Sequence, residues 1–185
     1  GRVAEFTHTA PLACMDNGGR VVAMAAAARQ LHSRLKAYAA VETKPEFLVE
    51  LVDAAQWFVT RLNTNGRLLT EQLCRALYEA RLDSVQVTLY SADAAKHNAL
   101  VGAPGFEDTV QGIRNAVEAG LIVSINTPLC SLNQDYDATL RFAHSLGVRY
   151  ATCSGLIPSG EALGEGSRAT RLSPEALTDI LRDAV

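Results

Sequence analysis

Hydrophobic and polar residues alternate along most of the chain in two periods, one typical of strands and one typical of helices. Short apolar runs that end in turn-forming residues predict strands at 58–63, 84–90, 121–127 and 148–154. Between and after them, apolar residues recur at helical spacing and predict helices at 45–55, 70–82, 106–120, 135–147 and 173–185. Pro128 is expected to end the third strand, and His97 is expected to lie in a polar loop after the second.

The ends of these helices carry the residues that such ends require. Thr70 and Ser173 are predicted N-caps, and Pro174 falls at the first helical position after Ser173. Gly120 and Gly147 each follow a helix and suit the left-handed conformation that terminates one.

Strands that alternate with helices indicate an α/β fold with a parallel sheet and right-handed crossovers. The even spacing of the units favours a partial TIM-like (β/α) barrel that is incomplete at its N-terminal side. Ligands of such folds bind at the carboxyl ends of the strands. The polar or small residues at those ends are Asn63, Thr64, Asn65, Thr88, Tyr90, Ser91, Asn126, Thr127, Thr152, Ser154 and Gly155.

The first 45 residues break this pattern, because a long alanine-rich helical stretch there has no strand beside it. We therefore divide the chain into an atypical segment, 1–45, and a barrel portion, 46–185. The chain starts at Gly1 rather than Met, which favours a fragment, a processed chain or a partial gene product.

Composition and charge narrow the classes of partner. The formal net charge of −3 gives no electrostatic attraction for nucleic acid or an anionic membrane, so we expect neither as a partner. No apolar run is long enough to span a bilayer, which favours a cytoplasmic protein. The cysteines are widely spaced and form neither a disulfide framework nor a Cys-x-x-Cys pair: Cys14, Cys74, Cys130 and Cys153.

Several short motifs occur in a fixed order through the barrel portion. They are "TNGRLL" at Thr64–Leu69, "VQVTL" at Val85–Leu89, the stretch His97–Phe106, Ala119–Gly120, "VSINT" at Val123–Thr127, and "TCSGLIPSG" at Thr152–Gly160. With this set, about three quarters of the chain resembles the radical S-adenosylmethionine (SAM) superfamily. It looks most like SPASM-type members, which carry an additional iron–sulfur domain and modify peptides.

The resemblance implies a partial barrel that binds SAM and a [4Fe–4S] cluster at the strand carboxyl ends. It implies reductive cleavage of SAM to a 5′-deoxyadenosyl radical, which abstracts hydrogen from a peptide or small-molecule (natural-product) substrate. An electron donor such as a flavodoxin or a ferredoxin is implied as a partner. In this chemistry the cofactors react and the protein positions them.

The cluster ligands of the resembled family depart from the pattern here. The family holds its cluster with Cys-x3-Cys-x2-Cys, and the matching positions are Ala10, Cys14 and Asn17. Cys14 is therefore the one candidate metal ligand, and one thiolate does not hold a cluster. The family's Gly-Gly-Glu-Pro loop is also altered, since Glu42 and Pro45 remain without a glycine pair. A disrupted reading frame, loss of the cluster with retention of the scaffold, and a different register each explain this departure.

The candidate cofactor-binding residues are those that follow the strands: Thr64, Asn65, Gly66, Thr88, Ser91, Asn126, Ser154 and Gly155. Each also has a purely structural interpretation. The first three suit a tight turn, and threonine at the position of Thr88 is common in strands.

No catalytic residue is identified by the sequence. His97 is a candidate general base with Asp93 as its carboxylate partner, and the alternative is a capping or surface histidine. Val101 stands where the resembled family often has a basic residue that reaches SAM.

Three hypotheses for function follow. The first is a radical SAM-type enzyme core that is impaired because two of its three cluster cysteines are missing. The second is a cluster-free module that binds SAM, a nucleoside or a peptide on the same scaffold. The third is an unrelated barrel enzyme that uses His97 and Asp93 for acid–base chemistry.

Overall fold

The structure, a computed structural model, describes residues 45–56, 59–155 and 170–184 of the chain. The predicted segment 1–45 and its candidate ligand Cys14 thus lie outside the described residues, apart from Pro45, and the predicted domain boundary stays a prediction.

Helices and strands alternate through the described part of the chain. The helices are α1 Pro45–Ala54, α2 Glu71–Glu79, α3 Ala94–Val101, α4 Phe106–Glu118, α5 Tyr136–Ser145 and α6 Pro174–Asp183. The strands are β1 Arg61–Thr64, β2 Ser84–Thr88, β3 Val123–Leu129 and β4 Tyr150–Gly155.

The four strands form one sheet in the order β1-β2-β3-β4. β2 pairs with β3, and β3 with β4, in parallel. The register places Thr88 opposite Asn126 and Asn126 opposite Thr152. Because the strands are parallel, their carboxyl ends lie at the same edge of the sheet, as the sequence predicts.

The described residues divide into two compact units. The smaller contains 45–56, 59–61 and 75–83, and in it the N–H and hydroxyl of Thr60 donate to Asp83 Oδ2 at 2.6 Å and 3.0 Å. The larger contains 62–74, 84–155 and 170–184, and it holds most of the sheet with α3 to α6. No helix among these residues is both long and apolar enough to cross a bilayer.

Alternate residues of each central strand point to opposite faces of the sheet. One face is apolar and buried, and its members are Val85, Val87, Leu89, Val123, Ile125, Thr127 and Leu129. Helix α4 contacts strands β2 and β3, and helix α5 contacts β3. A further cluster of Leu129, Tyr136 and Ile180 joins β3 to α5 and α6.

The opposite face of the sheet, which we call the polar face, carries Gln86, Thr88, Ser124, Asn126, Pro128, Tyr150, Thr152 and Ser154. These residues are half-buried or exposed. Turning a strand over would expose several aliphatic side chains, each contributing about 1.5–3 kcal/mol of burial. The apolar face therefore fixes which residues the polar face presents.

The predicted helix ends are confirmed. The Thr70 hydroxyl accepts the N–H of Leu73, and the Ser173 hydroxyl accepts the N–H of Ala176. Gly120 and Gly147 both have positive φ angles, of 85° and 88°, directly after the C-caps of α4 and α5.

Two local predictions were wrong. Residues 94–101 form helix α3, which starts because the Asp93 side chain accepts the N–H of Lys96. His97 therefore lies in a helix and not in a loop. β3 also continues through Pro128 to Leu129.

The position of Pro128 explains why the strand tolerates it. Asn126 O accepts the N–H of Leu89, and so Asn126 bonds to β2. Successive strand residues bond to opposite neighbours, which turns the nitrogen of Pro128 to the same side as Asn126, beyond the last residue of β2. The carbonyl that faces this nitrogen, Leu89 O, accepts the Thr127 hydroxyl at 2.9 Å instead, so the missing N–H of Pro128 leaves no acceptor unpaired.

The loop after β1 is packed against α4 through two glycines. Gly66 has φ +80°, and Gly112 lies so close that a Cβ on it would come 2.0 Å from Gly66 O. The Thr109 hydroxyl donates to Asn65 O at 2.9 Å, and Asn115 Nδ2 donates to Leu69 O at 2.7 Å. The loop is thereby held by backbone contact and by side chains of one helix.

Gly112→Ala should destabilise the fold, because its new methyl group would overlap a backbone carbonyl that no rotamer change moves. Overpacking of this kind costs about 1–3 kcal/mol or more, and thermal unfolding measures it. Gly155→Ala is the control, since no atom of the described residues lies within 4 Å of its Cβ position. Equal unfolding temperatures for the two variants would contradict this packing.

Candidate functional site

A hydrogen-bonded row of side chains crosses three strands on the polar face. Gln86 Nε2 donates to Thr152 Oγ1 at 3.1 Å, and Thr152 Oγ1 lies 3.0 Å from Asn126 Oδ1. Thr152 Oγ1 also lies 3.3 Å from Ile125 O. The row places amide and hydroxyl groups side by side near the carboxyl ends of β2, β3 and β4.

Thr88 lies directly opposite Asn126 in the register and is half-buried on the same face. Within the described part of the chain, its hydroxyl forms no hydrogen bond, and the same holds for the Asn126 Nδ2 group. The structure thus places two of the predicted cofactor-binding residues together, both with unused hydrogen-bonding capacity.

The predicted site residues after β1 serve the turn itself. Thr64 Oγ1 accepts the N–H of Gly66, and Asn65 Oδ1 accepts the N–H of Arg67, both at 3.1 Å. Gly66 supplies the positive φ angle that the turn needs. The side-chain oxygens of Thr64 and Asn65 accept hydrogen bonds within the loop, so the structural interpretation, a tight turn, explains why these residue types occur here.

Ser91 is fully buried and organises the loop after β2. Its hydroxyl accepts the N–H of Asp93 at 3.0 Å and donates to Asp135 Oδ2 at 3.4 Å. Lys96 Nζ also contacts Asp135 Oδ2, at 3.0 Å. Asp135 Oδ1 is buried and has no hydrogen-bond partner among the described residues. Ser91 therefore joins the loops after β2 and β3 at the carboxyl edge of the sheet, which we call the ligand edge, and does not present its hydroxyl to the polar face.

Asn133 was missed by the sequence analysis, although it ties the same loops together. Its Nδ2 donates to Tyr90 O at 2.7 Å and to Pro128 O at 3.0 Å, and its Oδ1 accepts the N–H of Cys130 at 2.8 Å. The residue is 1% exposed, so this amide satisfies three backbone groups away from water. An asparagine in a polar loop gives no sequence signal for such a role.

His97 is a buried structural residue in this fold. Its Nδ1 accepts the N–H of Tyr90 at 3.3 Å, and its ring makes edge contacts with Tyr90 and Phe106. Burial lowers the pKa of His97 below its ordinary value. Asp93 caps α3 through the N–H of Lys96 and not through His97. The predicted His97–Asp93 acid–base pair is therefore not formed.

Ser154 and Gly155 end β4, and Ser154 lies opposite Pro128 on the polar face. No hydrogen bond of the Ser154 hydroxyl exists within the described residues. The glycine-rich loop that continues from them, at 156–169, lies outside the described residues.

The described cysteines face away from this site or are enclosed. Cys74 and Cys130 are buried, and burial raises the pKa of Cys74 to about 11. Cys153 packs against the cluster of Leu129 and Tyr136, and burial raises its pKa as well. Among the described residues, no group of three or more His, Cys, Asp or Glu side chains could hold a metal ion.

A parallel sheet with helices on one face and unused polar groups at its carboxyl edge is typical of α/β proteins of the barrel type. The chain belongs to the radical SAM superfamily, whose sequence model matches residues 13–146. The resemblance inferred from the motifs is thereby confirmed.

Relatives with differing reactions match the chain over part of their length. The AdoMet-dependent heme synthase of Methanosarcina barkeri is 31% identical over 122 residues, which are 65% of this chain and 34% of the relative. The probable GTP 3′,8-cyclase of Sulfurisphaera tokodaii is 31% identical over 124 residues, 66% of this chain and 39% of the relative. The PqqA peptide cyclase of Methylocella silvestris is 29% identical over 170 residues, 80% of this chain and 45% of the relative. The chain thus spans less than half of each of these relatives.

Solved structures agree on the fold. A domain of the pyruvate-formate lyase-activating enzyme from Bacteroides vulgatus superposes with a TM-score of 0.58 at 20% identity, covering 76% of this chain and 84% of that one. The enzyme anSMEcpe, solved with AdoMet and the Kp18Cys peptide, has a TM-score of 0.58 at 15% identity and covers 76% of this chain and 41% of its own. The predicted fold class, an α/β partial TIM-like barrel, is confirmed.

The two cofactors of the family fit the described residues unequally. The polar face offers hydroxyl and amide groups, which suit the amino-acid, ribose and adenine parts of SAM. The described residues contain no set of thiolates for a cluster. Of the three ligand positions predicted from the sequence, Ala10, Cys14 and Asn17, only Cys14 carries a thiol, and this assignment stays a prediction.

Asn133→Leu should destabilise the protein by about 1–3 kcal/mol or more, because it leaves the buried N–H of Cys130 and two part-buried carbonyls unpaired. Chemical denaturation measures the loss. Gln134→Leu is the matched control, since Gln134 is exposed and donates a single bond, to Ser131 O. A change of less than about 0.5 kcal/mol for the Asn133 variant, as expected of a surface site, would contradict the bridging role.

The stability of the protein should decrease as the pH falls below about 6.5, the ordinary pKa of histidine. The folded state requires neutral His97 as an acceptor, whereas the unfolded chain takes up the proton first. The loss grows until the pH reaches the lowered folded pKa and then levels off. Denaturation of wild type and His97→Gln, which retains an acceptor but does not titrate, isolates this contribution. Parallel pH profiles for the two proteins would show that His97 does not cause it.

Proposed function

We propose that this chain is the SAM-binding portion of a radical SAM enzyme that acts on a peptide or natural-product substrate. The family membership supplies the cofactor class. Thr88, Asn126 and Ser154 would hold SAM on the polar face, while the loops shaped by Gly66 and Ser91 form the surrounding edge. The observation that carries the proposal is the unused hydrogen-bonding capacity of Thr88 and Asn126 at adjacent strand ends.

A cluster and SAM, when bound together in such a family member, supply the 5′-deoxyadenosyl radical that takes a hydrogen atom from the substrate. This chain's own residues bind and orient SAM, and the buried helix-side face keeps the sheet rigid. We propose that cluster chemistry is impaired in this chain, because Cys14 is the single thiol at the family's ligand positions.

The peptide class of substrate is supported by two of the similar proteins, a PqqA peptide cyclase and an enzyme solved with a peptide. The heme synthase and GTP cyclase relatives act on other molecules, so a natural-product substrate remains part of the proposal. A flavodoxin or ferredoxin would donate the electron. A cytoplasmic location suits scattered, unpaired thiols.

The alternative is a cluster-free module that binds SAM, a nucleoside or a peptide. One observation favours it: the described residues provide polar ligand contacts but no thiolate set. The two proposals share the polar face and differ in whether iron is needed for binding.

SAM should bind the chain measurably in calorimetry, and Thr88→Val or Asn126→Leu should each weaken binding about two- to tenfold. This is the effect of losing one neutral hydrogen bond. Thr88→Val removes no hydrogen bond within the described protein, so its folded stability should not change. Thr178→Val, on the exposed side of α6, is the control with the same substitution.

The same titration after anaerobic treatment with iron and sulfide separates the two candidates. Binding that is equal with and without iron, in a colourless protein, supports the cluster-free module. Bound iron with the absorbance of an iron–sulfur cluster would refute the proposed impairment. No SAM binding in either state, by a folded protein, would refute the first candidate and would restrict the second to a module that binds a nucleoside or a peptide.

A further inference from the structure

The side-chain amide of Asn126 has two ends of similar shape, an oxygen and an NH2 group. Which end faces outward decides whether the polar face offers an acceptor or donors to a ligand. Its neighbours in the row determine this choice. The amide nitrogen of Gln86 is only a donor, so Thr152 Oγ1 accepts from it.

The single proton of the Thr152 hydroxyl must then go to an acceptor. Its two neighbours at hydrogen-bond distance are Asn126 Oδ1, at 3.0 Å, and Ile125 O, at 3.3 Å. Since Asn126 turns its oxygen to this hydroxyl, its NH2 group points away. The row therefore runs in one direction, from Gln86 through Thr152 to Asn126.

We propose that Thr152 is a positioning residue that orients the Asn126 amide so that its N–H groups face an acceptor atom of the ligand. This inference rests on the proposed SAM-binding function and adds a residue outside the predicted binding set. Within the described residues, the Asn126 Nδ2 group has no acceptor of its own, and the neighbouring Thr88 hydroxyl is also unpaired. A ligand atom that accepts hydrogen bonds satisfies both.

Removing the hydroxyl should free the amide to turn over. In Thr152→Val, the Asn126 oxygen no longer has a donor, so the outward group is an acceptor for part of the time. Thr152→Ser keeps the hydroxyl and should behave as wild type. The backbone register is unaffected in both variants, because Thr152 pairs with Asn126 through the main-chain ladder.

The first measurement needs no ligand. The NMR signals of the Asn126 side-chain amide, assigned by their loss in Asn126→Asp, should shift in Thr152→Val. They should remain in place in Thr152→Ser. Ser124→Ala, on the same face but nearer the amino end of β3, should leave them in place. Unchanged Asn126 signals in Thr152→Val would show that Thr152 does not orient the Asn126 amide, whatever ligand the protein binds.

The second measurement locates the ligand atom. Calorimetry compares SAM, adenosine and the 1-, 3- and 7-deaza analogues of adenosine, each of which replaces one ring nitrogen with C–H. Thr152→Val should weaken binding about two- to tenfold for every probe that retains the acceptor and have no effect on the one that lacks it. If the acceptor is in the methionine part, the effect should appear with SAM alone.

The outcomes separate this inference from the proposed function. No loss of affinity for SAM in Thr152→Val would overturn the positioning role while SAM binding stands, whereas an equal loss for all probes would assign the acceptor to the ribose, which every probe retains. A wild-type protein that binds neither SAM nor adenosine would refute the proposed function. The Asn126 amide signals would still show whether Thr152 orients this amide. Loss of binding in Thr152→Ser as well as in Thr152→Val would also overturn the inference, because the hydroxyl would then not be the group that matters.

Discussion

The orientation of the central strands is the constraint on which the remaining features depend. Val85, Val87 and Ile125 are fully buried, and this burial holds β2 and β3 with the same side toward the helices. The parallel register then aligns Thr88, Asn126 and Thr152 on the other side, in adjacent strands. A shift of one residue in either strand would bury these polar groups and expose the aliphatic ones. Burial of the apolar side therefore determines which residues lie on the polar side.

The ligand edge combines residues of two kinds. One kind builds the loops: Thr64, Asn65 and Gly66 close the turn after β1, and Asn133 joins the loops after β2 and β3. The other kind, Thr88 and the Asn126 amide, has hydrogen-bonding groups that the described residues leave unused, and we propose that these groups contact the ligand. A polar residue at a strand end is therefore a candidate for binding only where its own loop does not already use it.

Sequence reasoning predicted the elements well where the signal is local. The caps at Thr70 and Ser173 and the positive φ angles of Gly120 and Gly147 follow from chemistry within a few residues. It failed at α3, where an apparently polar loop becomes a helix because Asp93 supplies a cap. The candidate site was predictable in part, since period-two alternation places Thr88 and Asn126 on one face. The Asn133–Tyr90 and Gln86–Thr152 bonds join residues far apart in sequence, and without the register no pattern along the chain reveals them.

The contact between Gly66 and Gly112 has a consequence for how the protein can change over time. It joins one backbone to another, so no alteration of a side chain can compensate for a larger residue at Gly112. The turn after β1 and the first half of α4 must therefore vary together or not at all. New ligand preferences are more accessible through the segment that follows β2, whose shape depends on exchangeable side chains such as Ser91, and the turn after β1 should diversify more slowly than that segment.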